Sequence, residues 1–211
     1  MHDIDGPSTS RDPGITMARA FDADRFEAAI AELLAACGVA EDSPHTSKTA
    51  QRVRALWQDR LLGGYATNVA TILGTGFEDP REDLVVVSGI SLHGVCPHHL
   101  VPFKGVAHVA YHPGGRLHGF GRIARLVDAI ANRFTYQEWM TRDIAEALVD
   151  YGHAQGAAVV VEAEQMCLLL GENRRGAERV QTSAYVGTLQ DNAELRRSFH
   201  ASLAAGSKAT A

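Results

Sequence analysis

The sequence predicts an α+β domain in which helices pack on one face of an antiparallel sheet. After residue 80, the residue patterns follow the order β-β-α-α-β-β, and helical patterns precede this block. Pairs of strands followed by pairs of helices are typical of α+β domains, whereas alternating single strands and helices would indicate a parallel sheet. The chain has 211 residues, which is enough for one domain with a full hydrophobic core.

The first element is an amphipathic helix predicted over 21–39. Apolar residues recur there every three or four positions, and Asp22 or Asp24 can cap its start. Cys37 falls within this helical pattern, so we expect it to be an ordinary core residue.

The same periodicities assign the remaining elements. Helices are predicted over 47–62, 69–73, 121–134, 136–153 and 192–203, and strands over 83–90, 104–112, 156–170 and 180–189. The strand over 104–112 alternates, so that Ala107, Val109 and Tyr111 share one face. The strand over 156–170 is apolar on both faces. Because apolar edge strands invite association, we expect an oligomer.

The organisation along the chain follows from these elements. We expect a disordered lead over 1–20, a helical region over 21–75, a catalytic sheet domain over 80–204 and a disordered tail over 205–211. The start of the chain has no apolar core of a signal peptide, and no apolar run reaches the length of a membrane span. The formal net charge of −5 argues against nucleic acid as a partner. The expected location is cytoplasmic.

Two cysteines and one histidine form the most informative pattern. Cys96 and His99 have C-x-x-H spacing, and Cys167 follows much later. Two thiolates and an imidazole can hold a zinc ion with its fourth position open, which is the arrangement of a catalytic zinc. His98, beside them, is suited to proton transfer. The alternative is that both cysteines are small buried core residues and that His99 is a satisfied polar residue.

Several segments, in the same order, resemble the GTP cyclohydrolase I family. Residues 96–103, CPHHLVPF, resemble the family's C-E-H-H-L-x-P-F motif. The other matching segments are 49–53 with T-P-x-R-V, 119–127 with G-L-S-K-x-x-R-h-V, 136–138 with V-Q-E, 165–167 with H-x-C, and 182–183 with T-S. The resemblance covers residues 22–203 and implies the tunnelling fold, in which sheets of several subunits join into a barrel. It also implies a decamer of two five-membered rings, with active sites between subunits.

The resemblance also implies roles for individual residues. Zn²⁺ would be bound by Cys96, His99 and Cys167, and His98 would give a proton to the purine as water attacks C8 of the guanine. Gln137 and Glu138 would contact the guanine, with the carboxylate accepting from N1–H and the 2-amino group. Phosphates would be bound by Arg122, Arg125 and Arg52.

The chain departs from the family pattern at positions that bear on catalysis. Gln165 stands where the family has a histidine, and an amide cannot transfer a proton near neutral pH. Gly171 replaces a phosphate-binding arginine, and Arg174 and Arg175 are candidates to compensate. We therefore favour a zinc hydrolase that opens the imidazole ring of a guanine nucleotide at C8, with an altered substrate or a formamidopyrimidine-type product.

Three alternatives stay open at this point. The first is a conventional GTP cyclohydrolase I that makes 7,8-dihydroneopterin triphosphate for folate and pterin biosynthesis. The second is a catalytically dead protein that binds a purine or pterin. The third is a reductase of the same fold with a nucleophilic cysteine. Against it, both candidate cysteines already fit metal-ligand positions, which leaves neither as the nucleophile.

Overall fold

A four-stranded antiparallel sheet organises the chain. In the computed structural model, which describes residues 15–40, 42–171 and 176–208, the strand order is β2-β3-β5-β6. The strands of this sheet are β2 (Val85–Val95), β3 (Pro102–His112), β5 (Gly156–Gln165) and β6 (Val180–Gly187). Two short strands, β1 (Phe77–Glu78) and β4 (Arg116–Leu117), form a separate pair. This pair was not predicted, because two residues are too few to show alternation.

Helices precede the sheet, as predicted. They are α1 (Ala23–Ala36), α2 (Thr49–Ala55) and α3 (Val69–Ile72). Asp22 caps α1, since its side chain accepts a hydrogen bond of 3.0 Å from the amide of Arg25. The second predicted helix continues beyond α2 as a π-helical segment, Leu56–Leu61, and a 3₁₀ turn, Gly63–Ala66.

Cys37 is exposed, so the prediction that it is a core residue was wrong. It follows the last turn of α1, and no residue of this helix is buried in the single chain. The helical periodicity was therefore correct, but the apolar stripe is only partly covered within one chain, with Phe26, Ile30 and Leu34 half-buried.

Two helices cover one face of the sheet and form the main core. They are α4 (Phe120–Ala131) and α5 (Gln137–Asp150). The predicted stripe of α4 is buried, with Ile123, Leu126 and Val127 fully inaccessible. From the sheet, Ala107, Val109 and Tyr111 of β3 face these helices, as the alternation predicted. The strands and helices after residue 80 thus occur in the order β-β-α-α-β-β, and the predicted α+β class with helices against an antiparallel sheet is confirmed.

The other face of the sheet is partly covered by the C-terminal helices α7 (Thr188–Asp191) and α8 (Ala193–Lys208). Phe199 of α8 and Leu189 of α7 pack against Ala158 and Val160 of β5. This explains why β5 is apolar on both faces. Helix α8 also runs beyond 203, so residues 205–208 are helical and the expected disordered tail was wrong for them.

Several expectations fall partly or wholly on residues that are not described. Residues 1–14 of the expected lead, residues 209–211 of the expected tail, and both Arg174 and Arg175 lie outside the described residues. Within the described part, no helix is both long enough and apolar enough to cross a membrane.

Candidate metal centre and active site

A tight loop between β2 and β3 carries Cys96, His98 and His99. Strand β2 is longer than predicted and ends at Val95, so Cys96 begins the loop. The amide of Cys96 donates to the carbonyl of Val101 over 3.0 Å, and the amide of Leu100 donates to the carbonyl of Cys96 over 2.9 Å. Leu100 adopts a left-handed conformation with φ of 55°, which is uncommon for a leucine. Backbone hydrogen bonds within the loop therefore hold it in this conformation.

Cys167 reaches this loop through the register of the sheet. Strands β3 and β5 pair from His112↔Gly156 to Phe103↔Gln165, which places the end of β5 beside the start of β3. The chain then turns into the short helix α6 (Met166–Leu169) and does not continue the strand predicted over 156–170. The strand ends there because β3 begins at Pro102 and offers no further partner. Cys167 consequently sits on a helical turn next to the loop.

The side chains of Cys96, His99 and Cys167 form one cluster of metal-ligand type. Their donor atoms all lie within 4.8 Å of one another, and Sγ of Cys96 is 3.9 Å from Nδ1 of His99. This is close to the separation of roughly 3.6 Å that a tetrahedral ion imposes on sulfur and nitrogen ligands at about 2.3 and 2.0 Å. Cys96 is buried, whereas His99 is exposed. The cluster can therefore hold a metal ion on a surface that a substrate can reach.

The two thiols also influence each other. Burial raises the pKa of Cys167, and the charge and hydrogen bonding of the nearby Cys96 raise it further. Two thiolates this close repel each other, and a cation between them would reverse that effect. The chemistry of the donor set thus fits a divalent metal ion with affinity for sulfur.

His98 points to the start of α5, where Tyr136 lies. The Tyr136 hydroxyl is 2.9 Å from Nε2 of His98, and the two rings are 4.9 Å apart between centroids. Sequence reasoning did not single out Tyr136. The available signal was its place directly before Gln137 and Glu138, where the family pattern has a valine.

A second contact joins α5 to the turn that carries Cys167. Nε2 of Gln165 donates to Oε1 of Gln137 over 2.7 Å. The amide nitrogen of Gln137 in turn donates to the carbonyls of Val161 and Val180. These two acceptors fix which way the Gln137 amide faces, and hence that Gln165 presents its nitrogen to it.

Glu138 follows Gln137 in the first turn of α5 and is exposed. The positive end of the helix dipole stabilises a carboxylate in this position. The two contacts of α5 therefore place the metal cluster, His98, Gln165, Gln137 and Glu138 at one end of the domain.

The predicted phosphate-binding arginines are not part of this group. Arg122 lies in the first turn of α4 and donates to the carbonyl of Ile72, whereas the metal loop meets the chain after the other end of α4, where Val95 bridges Phe134. Along the axis this separates Arg122 from the end of α4 by roughly 15 Å. Arg125 donates to its own helix at Gly121, and Arg52 is exposed on α2.

Arg122 and Arg125 instead line a separate concavity of about 390 Å³. It lies between α4 and the 3₁₀ turn at Gly63–Ala66, which approaches α4 so closely that a Cβ on Gly64 would be 2.3 Å from the carbonyl oxygen of Ala129. No residue of the metal cluster lines it. Within one chain, the candidate phosphate site and the candidate metal centre are therefore two different surfaces.

Comparison with known proteins gives a consistent result. The model of the family described as GTP cyclohydrolase I matches residues 26–204. The chain is 61% identical to the GTP cyclohydrolase 1 of Ralstonia nicotianae, covering 94% of this chain and 95% of that protein. It is 62% identical to the GTP cyclohydrolase 1 of Chromobacterium violaceum, covering 86% and 88%, and 40% identical to that of Mycobacterium avium, covering 90% and 94%.

A solved structure, the archaeosine synthase QueF-Like in its apo form, aligns with a TM-score of 0.41 and 19% identity over 51% of this chain. That likeness is too low to add to the assignment. The sequence relatives favour the conventional cyclohydrolase alternative. They lend no support to the divergent ring-opening interpretation that the departures at Gln165 and Gly171 suggested.

Proposed function

The chain belongs to the GTP cyclohydrolase I family, and we propose that it is a conventional member, which converts GTP into 7,8-dihydroneopterin triphosphate and formate. It is a cyclohydrolase, and relatives 61–62% identical to it over most of their length carry the name GTP cyclohydrolase 1. The observation that supports this most directly is the meeting of Cys96, His99 and Cys167 with His98 at one end of the sheet.

Zinc is the metal that we propose for the cluster. Two thiolates and one imidazole favour zinc over magnesium, calcium or manganese, which prefer oxygen ligands. Three protein ligands leave a coordination position open, as in catalytic zinc sites. When bound there, zinc would supply a water molecule activated near neutral pH for attack on C8 of the guanine.

The protein side chains have separate tasks in this reaction. His98 moves a proton to the imidazole part of the guanine as C8 becomes tetrahedral and the ring opens. The Glu138 carboxylate accepts from the guanine N1–H and the 2-amino group, which an adenine lacks in that arrangement. Loss of C8 as formate, rearrangement of the ribose and closure of the new ring complete the conversion to the pterin.

Among the described residues, the predicted phosphate-binding arginines do not lie beside the metal cluster of their own chain. Arg122 and Arg125 lie toward the other end of α4. We propose that these arginines, together with Arg52, serve the metal centre of a neighbouring subunit. Exposed apolar side chains lie beside the metal ligand Cys167, with Leu168 at 44% and Leu170 at 62% exposure. Such a patch is typical of a protein contact, and we propose the decamer of two pentamers as the assembly.

The test is incubation of the zinc-loaded protein with GTP, GMP and ATP, followed by pterin fluorescence and mass spectrometry of the same samples. We expect one formate per pterin triphosphate from GTP and no product from ATP. Accumulation of a ring-opened pyrimidine without pterin would reject the conventional reaction in favour of the truncated one. An absence of GTP consumption would favour a binding protein. The cytoplasmic location stays a prediction.

A further inference from the structure

Tyr136 contacts His98, the candidate acid-base group beside the metal cluster. Its hydroxyl is 2.9 Å from Nε2 of His98, and the ring planes meet at 51° with centroids 4.9 Å apart. The His98 side chain is exposed, and the solvent on its exposed side does not restrict the rotation of the ring. Among the described residues, Tyr136 supplies the hydrogen bond to this ring.

Tyr136 is itself held in place. It is the N-cap residue of α5, with extended backbone angles of φ −92° and ψ 147°. Its ring packs edge-on against Trp139 at 4.4 Å between centroids and 87° between planes. Because its backbone and Trp139 hold the Tyr136 ring in place, the Tyr136 hydroxyl can hold the His98 ring in one orientation. A catalytic ring needs such order, because small misorientations cost large factors in rate.

Position 165, two residues before the ligand Cys167, carries no proton-transfer group. Gln165 stands where the family pattern has a histidine, and its amide nitrogen is committed to Gln137 over 2.7 Å. Gln137 cannot turn away, because its own nitrogen serves two backbone carbonyls. The chain thus combines a glutamine that cannot transfer a proton with a tyrosine, in place of the pattern's valine, that contacts the remaining histidine.

We propose that Tyr136 is a positioning residue for His98 and that it compensates for the absence of a histidine at position 165. This inference rests on the proposed function for its kinetic consequence. The contact itself is independent of that function. The hydroxyl fixes the rotation of the His98 ring, and His98 then serves the proton transfers that the amide of Gln165 cannot perform.

The test compares Tyr136→Phe with Tyr185→Phe. Both variants remove a hydroxyl bonded to a histidine Nε2, since Tyr185 contacts His200 over 2.8 Å. His200 lies on α8, which packs on the sheet face opposite α4 and α5, so Tyr185→Phe is a matched control. We expect Tyr136→Phe to lower kcat by about tenfold or more with KM for GTP within about twofold. Tyr185→Phe should leave both constants unchanged.

Two further measurements separate positioning from structural damage. Bound zinc and assembly size should equal those of the wild type in Tyr136→Phe. Gln165→His should raise kcat more in the Tyr136→Phe background than in the wild type, because the two positions are coupled. Additive effects would overturn the compensation, and loss of zinc in Tyr136→Phe would overturn the positioning role. If Tyr136→Phe does not assemble, Tyr136→Val replaces it in these measurements, because valine is the residue of the family motif at this position.

A readout without turnover distinguishes this inference from the proposed function. Diethyl pyrocarbonate acylates free imidazole nitrogens, and peptide mass spectrometry gives the rate at His98. We expect that rate to rise several-fold in Tyr136→Phe, with the rate at His200 unchanged. An unchanged rate at His98 would overturn the inference even if the enzyme makes pterin. If the acylation rate at His98 rises in Tyr136→Phe but the wild-type protein does not consume GTP, the positioning of His98 by Tyr136 stands and the proposed function is rejected.

Discussion

The two ends of α4 differ in how much of the candidate site a single chain assembles. Near the C-terminal end, the start of α5 meets the Cys96 loop through Tyr136 and His98 at 2.9 Å, and it meets the segment before Cys167 through Gln137 and Gln165 at 2.7 Å. Near the N-terminal end, Arg122 and Arg125 line a concavity of their own. One chain therefore brings the candidate metal ligands together. On the proposed function, it also supplies the guanine-binding carboxylate, and a second copy binds the triphosphate.

The largest expected effect concerns the metal end. Cys167→Ser should lose the bound zinc and lower activity by roughly a thousandfold or more, because two protein ligands hold a catalytic zinc poorly. Elemental analysis measures the bound zinc, and pterin fluorescence measures the activity. Cys37→Ser is the matched control, since Cys37 is exposed at the end of α1 and should keep both zinc and activity. Full zinc retention in Cys167→Ser would remove Cys167 from the ligand set.

Base recognition is the next largest effect. Glu138→Gln keeps the shape of the side chain but replaces one acceptor oxygen of the carboxylate by a donor nitrogen. We therefore expect kcat/KM for GTP to fall by about a hundredfold. Glu146→Gln, on the same helix and paired with Arg142, should change kcat/KM little. If Glu138→Gln turned over GTP as fast as the wild type does, another group would have to read the guanine edge.

Complementation between two inactive variants tests whether the metal ligands and the arginines of one active site come from different subunits. Cys167→Ser and a double variant with Arg122→Ala and Arg125→Ala should each be nearly inactive alone. Co-expressed as mixed oligomers, they should recover up to about one quarter of wild-type activity, the share of interfaces that combine two intact halves under random mixing. Mixed oligomers without any recovery would place both halves of the site in the same chain.

The affinity of the metal centre should depend on pH. Burial and the nearby Cys96 raise the pKa of Cys167, and zinc binds the thiolate form. Lowering the pH therefore adds proton competition, and zinc affinity should fall by about tenfold or more per pH unit in the neutral range. Competition with a chelator at several pH values measures this. An affinity independent of pH would argue against thiolate ligands.

The smallest expected effect concerns the loop between the ligands. Leu100 has φ of 55° and a side chain that is 55% exposed. Leu100→Asn should raise the free energy of unfolding by about 0.5 kcal/mol, because asparagine adopts this conformation more readily. Leu168→Asn, outside that conformation, should bring no gain. A loss of stability in Leu100→Asn, measured by thermal unfolding of the oligomer, would indicate that Leu100 packs against a second subunit.

Much of the fold followed from local patterns. The alternation in β3 correctly grouped the residues that share a face, and the predicted stripe of α4 is buried, because burial of one face imposes a period on the residues. The C-x-x-H spacing and the distant cysteine predicted the ligand cluster that the structure brings together. The roles of the individual site residues remain predictions.

The errors arose where tertiary contacts override local preference. The apolar run over 156–170 is a strand only as far as Gln165, because its partner β3 begins at Pro102. The stripe of α1 predicted burial for Cys37, but Cys37 is exposed, because neighbouring elements cover that face only in part.

The sequence by itself determined the order of the elements, the fold class and the residue types that can bind a metal, since these depend on periodicity and donor chemistry. Only the tertiary structure decided which groups meet. The register of β3 and β5 brings Cys167 to Cys96 across a long stretch of chain, and the start of α5 brings Tyr136 to His98 and Gln137 to Gln165. Such meetings depend on pairing and packing between distant segments, which no local pattern encodes.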